Sequence, residues 1–152
     1  MPDLAARKKG PSGLPIPRFV SLKANEVNVR RGPSWDHAVV WVFRREHLPV
    51  EIIAEFDVWR QVRDSEGATG WVLGTLLSGR RTVLVAPWKK GQGALDMRNA
   101  ARGGKVVAKL SPGVLGKVKA CDGKQCQISA GGVSGYISQE LLWGVYVGEK
   151  VK

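Results

Sequence analysis

The sequence predicts an all-β protein built from two small barrels in tandem. Its apolar runs are short and rich in valine, and turns separate them often, since the 152 residues include 19 glycines and 8 prolines. This spacing is typical of all-β proteins, and no segment shows the apolar stripe of an amphipathic helix. With 43% hydrophobic and 24% charged residues, the chain has the composition of a folded protein.

The tandem arrangement is predicted from an internal repeat. Arg30 aligns with Arg98, and "GWVLGTLLSG" (70–79) matches "GYISQELLWG" (135–144). The spacing between the copies shortens by three residues from the first match to the second. Such differences in loop length cost little free energy, so we interpret the pattern as a duplication.

The sequence of each copy predicts five short strands followed by one helical turn. "VWRQVRD" alternates apolar and polar residues, as a half-exposed strand does, and "DSEGATG" and "SAGGVSG" are turns in which glycine supplies a positive φ. In the first copy the strands are expected at 19–30, 38–43, 48–56, 58–64 and 70–73. In the second copy they are expected at 93–98, 105–110, 114–120, 125–129 and 134–137.

Five short strands and a helical turn in about 60–65 residues make an SH3-like barrel, a size that is only marginally stable alone. We therefore divide the chain into a flexible N-terminal tail (1–17), a first SH3-like repeat (18–85) and a second (86–148). The connecting segment "RRTVLVAPW" (80–88) is too short and too apolar for a flexible linker. The two barrels are accordingly expected to pack against each other.

Several motifs carry a resemblance to a known family. "NVRRGPS" and "GWV" of the first copy, with "CDGKQCQIS" and "LLWGVY" of the second, resemble the bacterial SH3-like (SH3b) family in its tandem, exported form. The resemblance covers about residues 14–148. It implies a cell-wall or envelope module, of the kind often attached to peptidoglycan hydrolases. In the family the second repeat carries a tryptophan where this chain has Gln125, at the position matching Trp59.

Cys121 and Cys126 flank the sequence "DGKQ", and three states are open to them. Across a four-residue hairpin loop they would lie near disulfide-bonding distance. A disulfide there contributes about 2 kcal/mol in the chain-entropy model and implies an oxidising compartment. Free cytosolic thiols are the second state. A zinc site is the third, although the spacing and the lack of histidine in the second copy argue against it.

The sequence argues against an enzyme and predicts no cofactor and no metal. Nucleophilic catalysis needs a nucleophile, a base and an orienting group. His37 and His47 lie in the first copy, the cysteines lie in the second, and no pair of carboxylates stands out as acid and base. "GQGALD" (91–96) begins like a dinucleotide fingerprint but lacks the third glycine and the following helix.

Trp35 and Trp59 are the candidate ligand-binding aromatic residues. Trp35 follows a Gly-Pro-Ser turn, where burial is difficult, and Trp59 opens the alternating strand "WRQVR". SH3-like domains bind extended ligands in grooves lined with aromatic side chains. Ordinary packing is the alternative for both, and Trp71, which matches Tyr136, is expected to belong partly to the core.

The net charge of +11 points to a polyanion as a possible partner, and it is uneven, with eleven basic and four acidic residues in 86–152. The basic candidates for ligand binding are Arg31, Arg44, Arg45, Lys117 and Lys119. Lys117 and Lys119 point to the same face of a strand and either bind a polyanion or prevent edge-to-edge pairing. An inert basic surface is the alternative interpretation.

The favoured hypothesis is a non-catalytic envelope module that binds a cell-wall polymer (peptidoglycan) or an extended peptide of an envelope protein. The alternative is a basic nucleic-acid-binding protein, whose affinity would fall steeply with salt. The resemblance and the expected disulfide favour a periplasmic or secreted protein. The N-terminal residues lack the apolar core of a signal peptide, so the protein is either cytosolic or exported with a signal peptide that this chain does not include. No apolar run is long enough to cross a membrane.

Overall fold

A computed structural model describes residues 2–152, and the fold class expected from the sequence is confirmed. Over these residues the structure consists of β-strands and short 3₁₀ turns, with no α-helix. None of its helical turns is long or apolar enough to span a membrane. The chain divides into two compact units, Pro2–Arg80 and Arg81–Lys152.

The first unit contains nine strands and two 3₁₀ turns. The strands are β1 (Lys8–Lys9), β2 (Pro15–Ile16), β3 (Arg18–Leu22), β4 (Val27–Arg30), β5 (Val39–Phe43), β6 (Pro49–Phe56), β7 (Trp59–Arg63), β8 (Thr69–Leu73) and β9 (Leu77–Ser78). The turns are η1 (Leu4–Ala6) and η2 (Gly74–Leu76). Seven strands form one antiparallel sheet in the order β5-β4-β8-β7-β6-β3-β9, and β1 pairs only with β2.

Alternation along the strands builds the core of this unit. In β4, Val27 and Val29 are fully buried while Asn28 between them is exposed, as a pleated strand with one inward face requires. The buried cluster consists of Val20, Leu22, Val27, Val29, Phe43, Val50, Ile52, Val62 and Val72. This cluster fixes the register of the strands that carry the loops discussed below.

The second unit repeats the arrangement. Its strands are β10 (Thr82–Val85), β11 (Leu95–Arg98), β12 (Val106–Leu110), β13 (Leu115–Asp122), β14 (Gln125–Ala130), β15 (Val133–Ser138), β16 (Leu142–Trp143) and β17 (Lys150–Val151), with turns η3 (Pro87–Lys89) and η4 (Gln139–Leu141). The sheet order is β12-β11-β15-β14-β13-β10-β16, and β17 pairs with β13. Each strand from β10 to β16 therefore has a counterpart in the first unit at the same place in the sheet.

The match between the two units extends to the register shifts in their sheets and to a glycine in equivalent strands. Register shifts occur between Ile52 and Ala54 in the first sheet and between Val118 and Ala120 in the second. A Cβ added at Gly70 would collide with the Val29 side chain, and one at the equivalent Gly135 would collide with Met97. Only glycine fits there, which explains why both copies of the repeat carry it.

The boundary between the repeats lies earlier than the sequence analysis placed it. Thr82–Val85, assigned there to the end of the first repeat and to a connector, pairs with β13 and β16 of the second unit. It is the counterpart of β3 and the opening strand of the second barrel. All four of its residues are buried, because the strand is covered on both faces. Such a strand lacks the alternation of apolar and polar residues that would have identified it in the sequence.

The N-terminal segment also differs from the expected flexible tail. Lys8–Lys9 pairs with Pro15–Ile16 to form a hairpin, and the backbone N–H of Ser12 donates to Glu55 Oε1 at 3.0 Å. Arg7 donates to the carbonyl of Pro17 at 3.0 Å. Polar contacts hold this segment in place, and the segment itself contains few apolar residues. Hydrophobic patterning therefore did not predict its structure.

Cys121 and Cys126 form a disulfide, which confirms the first of the three states considered. The two cysteines face each other across β13 and β14. In the first unit the equivalent pair is Glu55 and Arg60, whose side chains approach to 3.1 Å. A covalent link in one copy thus occupies the position of an ion pair in the other.

Candidate functional site

A cleft of about 400 Å³ opens on the first barrel. Strand β4 contributes to one wall, the loop after it contributes Trp35, and the start of β7 contributes Trp59. The residues that line it are Glu26, Asn28, Arg30, Trp35, Trp59, Leu73 and Leu76. All come from the first unit, so the cleft is a property of that barrel.

The two tryptophans form the centre of this cleft. Their rings meet edge to face, with centroids 5.1 Å apart and planes at 70°, an arrangement that aromatic pairs favour. Trp35 is 64% exposed, whereas Trp59 is 5% exposed. Trp59 therefore forms a buried floor, and Trp35 stands above it as a wall that a ligand can reach.

Arg30 holds the exposed tryptophan in place. Its Nη1 donates to the carbonyl oxygens of Trp35 at 3.2 Å and His37 at 2.9 Å. Its guanidinium carbon also lies 5.1 Å from the centre of the Trp35 ring, a cation–π geometry. The arginine thus orders the loop and adds positive charge beside the ring.

The loop after β4 is ordered by its own polar groups as well. The hydroxyl of Ser34 accepts from the backbone N–H of Asp36 at 3.2 Å and lies 2.7 Å from His37 Nδ1. Arg31 N–H donates to the carbonyl of Ala38 at 2.9 Å, which closes the base of the loop. Trp35 is therefore presented on a preformed loop, which lowers the entropy lost on binding.

The structure brings some of the sequence-predicted residues together and separates others. Trp35 and Trp59 share the cleft. Arg44 is exposed and lies 3.8 Å from Glu26 at the cleft rim. Arg31 and Arg45 are also exposed but are not among the described residues that line the cleft.

Lys117 and Lys119 belong to the second unit and are exposed on β13. Lys119 Nζ donates to Ser134 Oγ of β15 at 2.8 Å, across the intervening strand β14. Within residues 2–152 neither lysine lines a described cleft. The two lysines form part of the positive surface of the second sheet.

Sequence reasoning missed Arg30 as a cleft residue. Its alignment with Arg98 indicated a repeat but not a role, and its partners are the backbone carbonyls of its own loop. Arg98 likewise donates to the carbonyl of Gly104 at 3.0 Å. An arginine at the end of a strand before a Gly-Pro-Ser turn was the available signal, and it indicates a side chain that folds back over its own loop.

A second cleft, of about 340 Å³, lies at the equivalent place in the second barrel. Arg98 takes the position of Arg30, Gln125 that of Trp59, and Ser138 that of Leu73, as the strand registers show. Asp96, Tyr136 and Leu141 complete its walls. The second cleft keeps the location of the first and an apolar wall, but polar Gln125 and Ser138 replace Trp59 and Leu73.

The groups that could serve metal binding or thiol chemistry are the carboxylates, the histidines and the two cysteines. No group of three potential metal ligands occurs among the described residues. Both cysteine sulfurs are joined in the disulfide. The first cleft offers a ligand aromatic and apolar surface, the guanidinium of Arg30, the carboxylate of Glu26 and the amide of Asn28.

Comparison with known proteins gives the family. A family model described as bacterial SH3 domain matches two stretches of the chain, residues 23–79 and 94–144. Each stretch lies within one barrel, beginning after its opening strand, and together they cover most of the sequence. Among curated proteins, none matches this chain.

Two solved structures are similar at low identity, NlpC1 and NlpC2 from Trichomonas vaginalis. NlpC1 is 16% identical, with a TM-score of 0.37 over 93% of this chain and 50% of that one. NlpC2 is 16% identical, with a TM-score of 0.37 over 84% of this chain and 48% of that one. The chain thus spans about half the length of each.

Proposed function

The chain belongs to the bacterial SH3 domain family, and we propose that it is a non-catalytic binding module of the cell envelope. Its ligand is peptidoglycan, recognised through the first cleft. An extended peptide of an envelope protein is the other ligand that such a groove accommodates. Basic residues around the cleft add attraction to an anionic polymer.

The observation that carries this proposal is the exposed Trp35 above the buried Trp59. A large aromatic residue on the surface, held by an arginine and a closed loop, gains nothing for folding from its exposed face. Tryptophan loses little conformational entropy on binding because it has only two rotatable side-chain bonds. Its flat face suits the apolar face of a sugar ring or an extended peptide backbone.

The bonded state of the cysteines and the hydrogen bonding of a histidine support the non-catalytic part of the proposal. The two cysteines are bonded to each other, and His37 is engaged by Ser34 within its loop. A Cys–His pair of the kind that activates a thiol would need a free thiolate. The envelope location is supported by the same disulfide, because disulfides persist in oxidising compartments.

The test is retention on purified peptidoglycan sacculi over a range of salt up to about 0.5 M, where surface charge interactions are largely screened. Trp35→Ala is the variant, and Trp88→Ala is the matched control, since Trp88 is 52% exposed and lines neither described cleft. Duplex DNA serves as a second polyanion. We expect retention at high salt by the wild type and by Trp88→Ala, and at least a tenfold loss for Trp35→Ala.

Two outcomes would overturn the proposal. Equal retention of Trp35→Ala and the wild type would exclude the first cleft as the site. Binding to sacculi and DNA alike that disappears with salt would mean that charge alone is responsible, as the nucleic-acid alternative requires.

A further inference from the structure

The second cleft differs from the first in chemistry, and we propose that it is a separate binding site for a neutral, hydroxyl-rich carbohydrate. This goes beyond the proposed function, because it assigns a ligand to the other barrel. The cleft lies in the second unit alone, is about 340 Å³ in volume and stands where the first barrel has its aromatic cleft. The duplication kept the cavity and changed the groups around it.

Three neutral polar side chains in this cleft are available to a ligand. The amide of Gln125 and the hydroxyls of Tyr136 and Ser138 make no hydrogen bond to another group among residues 2–152, and all three side chains are half-buried. Half-buried polar groups that are not paired within the protein are suited to hydrogen bonding with a ligand or with water. An amide and two hydroxyls both donate and accept, which matches sugar hydroxyls.

The two charged side chains that line the cleft, Asp96 and Arg98, have opposite charge and lie beside each other. Asp96 Oδ1 accepts from Lys109 Nζ at 2.8 Å, and Oδ2 lies 3.7 Å from Arg98 Nη2. The hydrogen bond from Lys109 holds the pKa of Asp96 below its ordinary value, so the carboxylate remains an acceptor at neutral pH. A ligand with no net charge fits such a compensated pair better than an anion or a cation does.

An aromatic surface remains in the second cleft. Tyr136 takes the position of Trp71 on the neighbouring strand, and Leu141 supplies an apolar wall. Aromatic rings combine a flat apolar face with a polar end, and a pyranose ring presents the same combination. The first cleft has two tryptophans and little neutral polarity, so the two sites select different parts of a polymer.

The test is a titration of the full chain with a soluble N-acetylglucosamine tetramer, followed by ¹⁵N–¹H NMR. An uncharged tetrapeptide is the comparison ligand. We expect saturable shifts in amides around Gln125 and Ser138 with the sugar and none there with the peptide. Gln125→Ala and Tyr136→Phe should each weaken the binding that these second-cleft amides report about fivefold, as loss of one hydrogen bond does, while Trp88→Ala, whose side chain lines neither cleft, leaves it unchanged.

Other results would overturn the assignment. The proposal fails if the sugar shifts no amide in the second cleft, if the shifts of those second-cleft amides are lost in Trp35→Ala, or if Gln125→Ala, Ser138→Ala and Tyr136→Phe all bind like the wild type. Amide dispersion in each spectrum shows whether the variant is folded. The sacculus experiment depends on Trp35 and this one on Gln125, so failure of one site is distinguishable from failure of the other.

Discussion

At the scale of single residues, Glu55 is a charge with several partners in the first unit. Its side chain is fully shielded from solvent and contacts Arg18 at 2.9 Å and Arg60 at 3.1 Å. The backbone N–H of Ser12 adds a third hydrogen bond. One carboxylate therefore joins the N-terminal segment, β3 and β7.

These contacts predict an acid-sensitive contribution to stability. Burial alone would raise the pKa of Glu55, but the hydrogen bonds from Ser12 and Arg18 lower it below its ordinary value of 4.5. A lowered pKa in the folded state stabilises the protein above about pH 4.5, and the effect is lost as pH falls through the folded-state pKa. Glu55→Gln should therefore destabilise the protein by about 3 kcal/mol at pH 7, and by less at pH 3.

Urea unfolding of the wild type and Glu55→Gln between pH 3 and 7 checks this. Glu66→Gln is the control, because Glu66 is exposed in a turn and should change stability by less than about 0.5 kcal/mol. A difference between the wild type and Glu55→Gln that does not depend on pH would contradict the assignment.

At the scale of elements, the equivalent hairpins β6–β7 and β13–β14 are each linked across their two strands near the turn, but by different groups. Near its turn the first is joined by Glu55 and Arg60, and the second by the disulfide. Strand β17 pairs with β13 beside Cys121, and the buried Gln139 amide donates to the carbonyls of Tyr146 and Glu149. The disulfide hairpin is therefore the support for the C-terminal strand.

Removal of the disulfide should loosen this region. The double variant Cys121→Ser/Cys126→Ser should lower the free energy of unfolding by about 2 kcal/mol, the entropy value for so short a loop. Hydrogen exchange should increase first in β17 and β14 and remain unchanged in β6 and β7, which have no disulfide. Equal protection in oxidised and variant protein would show that the strand pairing alone is sufficient.

At the scale of the whole molecule, charge is distributed unequally between the two units. Arg81–Lys152 carries twelve basic and four acidic residues, whereas Pro2–Arg80 carries twelve basic and nine acidic residues. The acidic residues of the first unit include Glu51 and Glu55, which pair with arginines. Long-range attraction to polyanions therefore comes mainly from the second unit.

Charge reversal in each unit tests this distribution. Lys117→Glu/Lys119→Glu and Arg44→Glu/Arg45→Glu change the net charge equally, but the first pair should lower low-salt DNA binding more. Neither pair should alter retention on sacculi at about 0.5 M salt, where these charges are screened. Equal loss in both double variants would show that only the total charge matters.

Much of the fold could be predicted from the sequence, because strand alternation and the repeated "GWV" and "GYI" segments follow directly from side-chain packing. The opening strand of the second barrel could not, since a fully buried strand such as Thr82–Val85 looks like an apolar connector. The N-terminal hairpin could not either. Its attachment depends on Ser12 and Glu55, which are 43 residues apart, and pairing of polar groups at that distance leaves no local pattern.

The candidate site was predictable only in part. Trp35 was identified because a tryptophan in a turn is difficult to bury, and the structure places it at the surface. The contact of Trp59 with Trp35, and the cation–π contact of Arg30, depend on how the loop folds back over β7. The second cleft was missed because Gln125, Tyr136 and Ser138 are ordinary strand residues until the sheet brings them together.

The Trp35–Trp59 pair gives the molecule a built-in optical probe. Two indole rings whose centroids lie 5.1 Å apart are close enough for their electronic transitions to couple, so the folded protein should show an exciton signal in its circular dichroism spectrum. Because Trp35 belongs to a loop and Trp59 to a strand, the signal reports their relative orientation. Occupancy of the cleft is therefore readable without a label, from a spectral feature that Trp35→Ala abolishes.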